Sequence, residues 1–206
     1  MKSELLRKMI CDALRIGHKS RGRMNTRDVA FQFRMGAGFV GDVNRAHPFW
    51  TEPCLIDSSH PIAAYGLACL ADAAAPNGVR SLINSTDSGI TAIYGIAVRP
   101  FPLQQQATTN YGSISLGPGT QTPPTSGEID ILKNGYILVQ LNGVASAYKG
   151  SPVTVYVATS TGSHVLGGFE ATSAGGSNIA LDATGTKIYF NGPADANGIV
   201  ELVFNP

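Results

Sequence analysis

The sequence predicts a mainly β protein, an antiparallel sandwich or barrel, carrying an extended N-terminal arm and a short N-terminal helix. Three observations predict it. Short apolar runs, several with period-two alternation, recur at roughly ten-residue spacing from Cys54 to the end of the chain. Turn residues punctuate them: Pro76-Asn77-Gly78, Asn134-Gly135, Asn191-Gly192 and Asn197-Gly198. No helical pattern intervenes between these runs, and no internal repeat is visible, which argues for sheets stacked or closed on themselves.

In chain order, residues 3–16 (SELLRKMICDALRI) place Leu5, Leu6, Met9, Ile10, Ala13 and Leu14 on one stripe, the mark of a short amphipathic helix. Ser3 suits its N-cap and Gly17 its C-terminal end. A helix of that length needs a partner surface. Three readings stay open: docking on the body or a neighbouring subunit, contact with an anionic membrane or nucleic acid, and an over-long start with Met24 as the alternative. Arg15–Arg27 reads as a basic, Gly-interrupted linker. Phe31–Asp57 reads as an extended arm, with alternation at Phe31-Gln-Phe33-Arg-Met35 followed by Gly36, Gly38 and Gly41. Strands are then expected at Cys54–Ile56, Tyr65–Leu70, Val79–Ile83, Ile90–Val98 and Ile114–Leu116. Ile129–Leu132 and Tyr136–Leu141 read as a hairpin about Lys133-Asn134-Gly135. Val153–Val157, His164–Ala171, Ile179–Leu181, Lys187–Phe190 and Ile199–Phe204 complete the series. Gln104–Asn110 and Gly117–Gly127 read as exposed loops. The domain organisation is therefore a basic extension (1–30), an arm (31–57) and a β domain (58–206).

Charged residues are 14% of the chain, against about 25% in typical soluble domains. A surface so poor in charge suits protein contact, because interface cores are depleted in charge. The net charge of +1 is unevenly spread. Residues 1–30 hold eight Lys/Arg and three Asp/Glu, and the remainder seven and eleven, so a basic leader precedes a mildly acidic body with no broad nucleic-acid face. Cys11, Cys54 and Cys69 are odd in number and lack C-x-x-C spacing, which favours reduced thiols over a disulfide framework or a zinc site. No apolar run approaches the roughly 18 residues of a membrane span. The expectation is a soluble protein made in a cytosol.

Catalytic constellations are not supported. His18, His47, His60 and His164 are scattered, and His47-Pro48 and His60-Pro61 look like turn starts. Glu128 and Asp130 share a strand face, but solvated edge charges account for them better than a glycosidase pair. Asp195 and Asn197 lack calcium-loop density and favour an Asx turn. Ser163 and His164 are neighbours, which strand geometry points to opposite faces. The Gly36–Gly38 and Gly117–Gly119 pairs lack the third glycine of a phosphate cradle. No enzyme, cofactor, metal or small-molecule substrate is expected. The aromatic series Phe31, Phe33, Phe39, Phe49 and Trp50 reads equally as domain core or as interface anchors, and an extended arm can add a strand to another subunit's sheet edge.

The segment F-x-F-x-M-G-A-G-F-x-G-D-V-N-R (Phe31–Arg45) resembles the opening of a family of tailed-phage structural cement, or head-decoration, proteins. Tyr94–Pro102, Gly135–Gly143, Gly167–Ala171 and Asn191–Asn205 are similar to that family in the same order, so the resemblance spans residues 31–206. The resemblance implies a protein on the outer surface of a capsid, made in the host bacterial cytoplasm. It would bridge neighbouring major capsid subunits and stabilise the DNA-filled head. The implied partners are the major capsid protein and the protein itself, as homodimer or homotrimer, with no nucleic-acid or membrane role. A jelly-roll-like or tulip-like body fits that expectation. The expected contact residues are Phe31, Phe33, Phe39, Phe49 and Trp50, with Gly36, Gly38 and Gly41 allowing close backbone approach. The alternative is a carbohydrate-binding β-sandwich module using Trp50 or the Tyr111 loop as a platform.

Overall fold

The computed structural model describes residues 38–45, 48–83, 87, 90–100, 122–143, 146–172, 177–181 and 187–206. The chain divides into a unit of Met1–Met35 and a second of Gly36–Pro206, and every described residue belongs to the second. The expected helix 3–16, the basic linker, Phe31–Met35 and the expected strand Ile114–Leu116 lie outside the described residues.

Ten strands follow in order: β1 (Trp50–Ile56), β2 (Ala68–Ala71), β3 (Gly78–Ser81), β4 (Gly95–Ala97), β5 (Gly127–Gln140), β6 (Thr154–Tyr156), β7 (Phe169–Glu170), β8 (Asn178–Ala180), β9 (Tyr189–Phe190) and β10 (Ile199–Phe204). The body is mainly β. Of the two expected architectures, the barrel is found. The order β1-β3-β2-β4-β5 returns to β1, so five strands close on themselves. Strand directions cannot alternate all the way round an odd ring, and the one parallel pair is β1–β3 (Leu55↔Gly78, Ile56↔Val79). Residues 50–56, read from the sequence as the end of the arm, supply this closing strand.

Two apolar clusters follow from strand alternation. Cys54, Ile56, Cys69, Val79, Ala97, Ile129 and Ile131 belong to one, which fills the barrel. Ala68, Leu70, Ile96 and Leu132 point outward and join Ile137, Val139, Val200, Leu202, Phe204 and Phe190 in the other. Val153, Val155, Phe169 and Ile179 of the three-stranded sheet β7-β6-β8 belong to that second cluster. A sandwich layer is thus packed on the barrel wall, and β2 and β4 are buried on both faces.

β5 links the two. Its first half pairs with β1 and β4, and its second half, Gly135–Gln140, pairs with β10. The sequence predicts a hairpin turn at Lys133-Asn134-Gly135. That expectation is overturned: the three residues run straight through β5. Gly135 has φ +138°, and a Cβ there would lie 2.8 Å from Phe49 Cβ. The glycine serves close approach of another chain segment, the alternative meaning of Gly in a strand. The Ile90–Val98 alternation is corrected as well. Only Gly95–Ala97 is regular, and Tyr94 packs towards the barrel cluster while Ile96 and Val98 join the other. The Pro76-Asn77-Gly78 turn is where it was expected, with Asn77 at φ +57°.

Arg80 donates to both oxygens of Asp87, at 2.8 and 2.9 Å, and so braces β3 against the loop that follows it. The Arg80 guanidinium and the Ile83 N–H hold the Asp87 carboxyl below its usual range, against the opposing effect of burial. A depressed native value means the carboxylate stabilises the fold fully at neutral pH. That contribution is lost as pH falls below about 4 and through the native value. Asp87→Asn is expected to cost about 3 kcal/mol at pH 7 and progressively less towards pH 3, measured by urea unfolding across that range. Gly135→Ala is expected to cost about 2 kcal/mol, since it combines left-handed strain with a clash at Phe49. A turn glycine in an exposed hairpin would meet the conformational strain alone, without the clash.

Candidate interface

Residues 38–45 form a strap laid along the edge of β5. Gly41 N–H donates to Leu138 O at 2.7 Å, Leu138 N–H to Asp42 O at 3.0 Å, and Arg99 N–H to Gly41 O at 2.8 Å. Val43 bridges antiparallel to Ile137. Gly41, at φ +87°, lies so close that a Cβ would stand 2.6 Å from Tyr65 Cβ and 3.1 Å from Arg99 Cβ. Its missing side chain therefore seats the strap on its own body. The Arg99 guanidinium covers the Phe39 ring at 4.5 Å and lies 3.4 Å from Asp42.

The far end of the strap is tied to β10. The Glu201 carboxylate accepts from Asn44 Nδ2 at 2.6 Å, from Arg45 through two bonds of 2.8 Å each, and from Asn191 Nδ2. Arg45 also lies over the Tyr136 ring at 4.3 Å. Burial pushes the Glu201 carboxyl up, but the bonds from Arg45, Asn191 and Asn44 hold it below its usual range. No sequence-local signal announces this group, because Arg45 and Glu201 are 156 residues apart. The nearest clue was Glu201 as the lone charge in IVELVF.

The expected aromatic anchors fall on either side of that tie. Phe39 is 39% exposed, Phe49 45% and Trp50 64%. Gly38 is exposed on the strap, and Phe31, Phe33 and Gly36 lie outside the described residues. Leu55, further along β1, is also exposed. β1 pairs with β5 along its length but with β3 only at Leu55 and Ile56. Leu55 N–H donates to Asn77 O and Asp57 N–H to Val79 O, so odd-numbered residues face that edge. The next such residue is Pro53, which has no N–H to offer, and an edge proline blunts strand addition. Between strap and body lies an open cavity of about 230 Å³ lined by Val40, Tyr65, Leu67, Arg99 and Val165 among others.

Several other polar groups are paired within the described body. At one end of the barrel Lys133 Nζ sits 3.2 Å from the Tyr94 ring centre and donates to Tyr94 O, while the Tyr94 hydroxyl donates to Glu52 at 2.8 Å. The Glu52 bond and burial raise the Tyr94 pKa. His164, read from sequence as isolated, has its Nδ1 2.6 Å from Glu170 Oε1; Asn178 Nδ2 donates to Oε2 at 2.8 Å. Glu170 is buried. Glu170 is six positions after His164, and the Thr161–His164 bridge brings the ring back over Tyr156, with centroids 5.1 Å apart. Asp195 Oδ1 accepts from Asn197 and Ile199 N–H, the expected Asx turn. His60 closes a turn onto Asp57. Glu128 and Asp130 are exposed on one face of β5. Among the described residues, no group of three or more His, Cys, Asp or Glu is placed to hold a metal ion.

Cys54 and Cys69 are free and buried within the barrel, and burial pushes both thiols up. In a Cys11→Ala background neither is expected to react with an aromatic disulfide reagent at pH 8 while the protein is folded. Both should react at once in denaturant, a contrast read directly from thiol titration.

Residues 29–204 match the family described as XM1 gp53 minor capsid protein. Among solved structures, a chain of the structure titled "The capsid of Myoviridae Phage XM1" is similar, with a TM-score of 0.58 and 20% identity. The match covers 83% of this chain and 92% of that one, and at this identity it shows a shared fold. A comparison with curated proteins finds no match.

Proposed function

This chain belongs to the XM1 gp53 minor capsid protein family, a family of phage capsid structural proteins, and on that premise we propose that it decorates the outside of the head. It cements neighbouring major capsid subunits there and steadies the shell against the packaged DNA. The observation that carries this reading is the exposed aromatic series Phe39, Phe49 and Trp50 on the strap and the start of β1, in a chain of low charge. Aromatic side chains bury large area at small entropic cost and dominate interface energetics. Gly38 and Gly41 seat the strap that presents them. Phe31, Phe33 and Gly36 extend the same series towards the N-terminus. On a repetitive lattice, modest single contacts add through multivalency, and a homodimer or homotrimer would multiply them. The partners in this reading are the major capsid protein and further copies of the chain.

The test mixes purified protein with expanded shells that lack it, pellets the shells and challenges them with heat. Saturable binding in fixed proportion to the major capsid protein, with a raised disruption temperature, is expected. Phe39→Ala with Trp50→Ala should weaken binding by roughly 100-fold, the scale of two lost anchors at about 1.4 kcal/mol each. Absence of co-pelleting would sink the cementing role, and the exposed Trp50 would then direct screening towards glycans.

A further inference from the structure

We infer that Glu201 is the positioning residue of this interface: a clasp on β10 that fixes the strap, and with it the aromatic groups on either side. The inference rests on the reading of those groups as capsid anchors, but its structural half stands apart from it.

Four bonds to the strap and to Asn191 converge on one carboxylate, and three of them come from consecutive strap residues, Asn44 and Arg45. Glu201 is held at the other end by its own strand, where it lies opposite Leu138. Leu138 is the residue whose backbone receives the strap at Gly41 and Asp42. Backbone pairing and clasp therefore secure the strap at two points along one short segment. Phe39 lies before the first point, Phe49 and Trp50 beyond the second. Between Val43↔Ile137 and Trp50↔Asn134 lie six residues on the strap side and two on β5, so the pairing departs from a continuous ladder there. The clasp bridges that departure. Without it, Asn44 and Arg45 lose their side-chain bonds to β10. A planar guanidinium bound at two points to a carboxylate fixes direction as well as distance, which Lys or a single hydrogen bond would not. Holding Phe49 and Trp50 in one orientation before contact reduces the ordering cost of binding.

The test uses Glu201→Ala, Glu201→Gln and the exchanged pair Arg45→Glu with Glu201→Arg. Trp50 is the only tryptophan, so its fluorescence anisotropy reports the anchor directly in the free protein. Trypsin cleavage at Arg45–Ala46 reports the strap. Ile179→Val, in the three-stranded sheet, serves as a variant with altered packing outside the strap and its clasp. Glu201→Ala is expected to speed cleavage at Arg45 by roughly tenfold, lower Trp50 anisotropy and weaken shell binding by roughly tenfold, with the saturating ratio unchanged. Glu201→Gln, which keeps acceptor capacity for the two asparagines, should fall between. The exchanged pair should restore anisotropy and binding. Cleavage and anisotropy at wild-type values in Glu201→Ala would overturn the clasp, as would Ile179→Val reproducing its effects. If wild-type protein fails to bind shells while the anisotropy and cleavage changes appear, the clasp survives and the cementing role falls.

Discussion

The fold depends on β5 running unbroken for fourteen residues from Gly127 to Gln140. A turn at Asn134-Gly135 would have divided it into two strands of the same sheet edge. Instead its first half closes the barrel between β1 and β4, and its second half carries β10. The strand can pass because Gly135 takes a conformation closed to most residues and leaves room for Phe49. That same vacancy draws the chain before β1 against β5.

Charge is sparse, and in the described body several of the charged groups join one segment to another. Arg80 and Asp87 brace β3 to the loop behind it, and Glu201 collects Asn44, Arg45 and Asn191. Glu170, the most deeply buried charged residue described, has a partner for each oxygen in His164 and Asn178. Among the described residues no buried side-chain nitrogen or oxygen lacks a hydrogen-bond partner. Unsatisfied buried polar groups often mark chemistry or bound ligands. Here the polar clusters read instead as rivets between strands whose own pairing is short, two to four residues in most cases outside β1, β5 and β10.

The fold class was legible because burial alternates wherever strands are long or half-buried, and β10 was read to both ends from IVELVF. Two readings failed for one physical reason: local propensity was outweighed by neighbours that the sequence does not place side by side. Asn134-Gly135 favours a turn in isolation, but β1 and β10 occupy both edges of the strand there. Tyr94 continues a run of period two, but its ring is drawn to Lys133 and its hydroxyl to Glu52, towards the end of the barrel. The aromatic series was visible as composition alone. That Phe49 and Trp50 are exposed while Phe169, Phe190 and Phe204 are buried could not be read from residue type, since all are large apolar groups near strands. The Glu201 group was invisible for a simpler reason, since its partners come from opposite ends of the chain.

The exposed start of β1 also narrows how a neighbour can engage it. An unpaired strand edge invites another strand, and an extended arm suggested such pairing. Pro53 removes the amide that a strand would use at the centre of this edge, and β3 already covers Leu55 and Ile56. What remains outward is side-chain surface: Phe49, Trp50 and Leu55, with Phe39 on the strap. Contacts of that kind seat bulky groups in pockets of the other surface and leave each sheet as it was. Side-chain insertion is specific to a pocket, whereas an open edge would equally pair with a second copy of itself and propagate. The proline-blunted edge and the clasped strap thus act together, presenting side chains rather than an open strand along the start of β1.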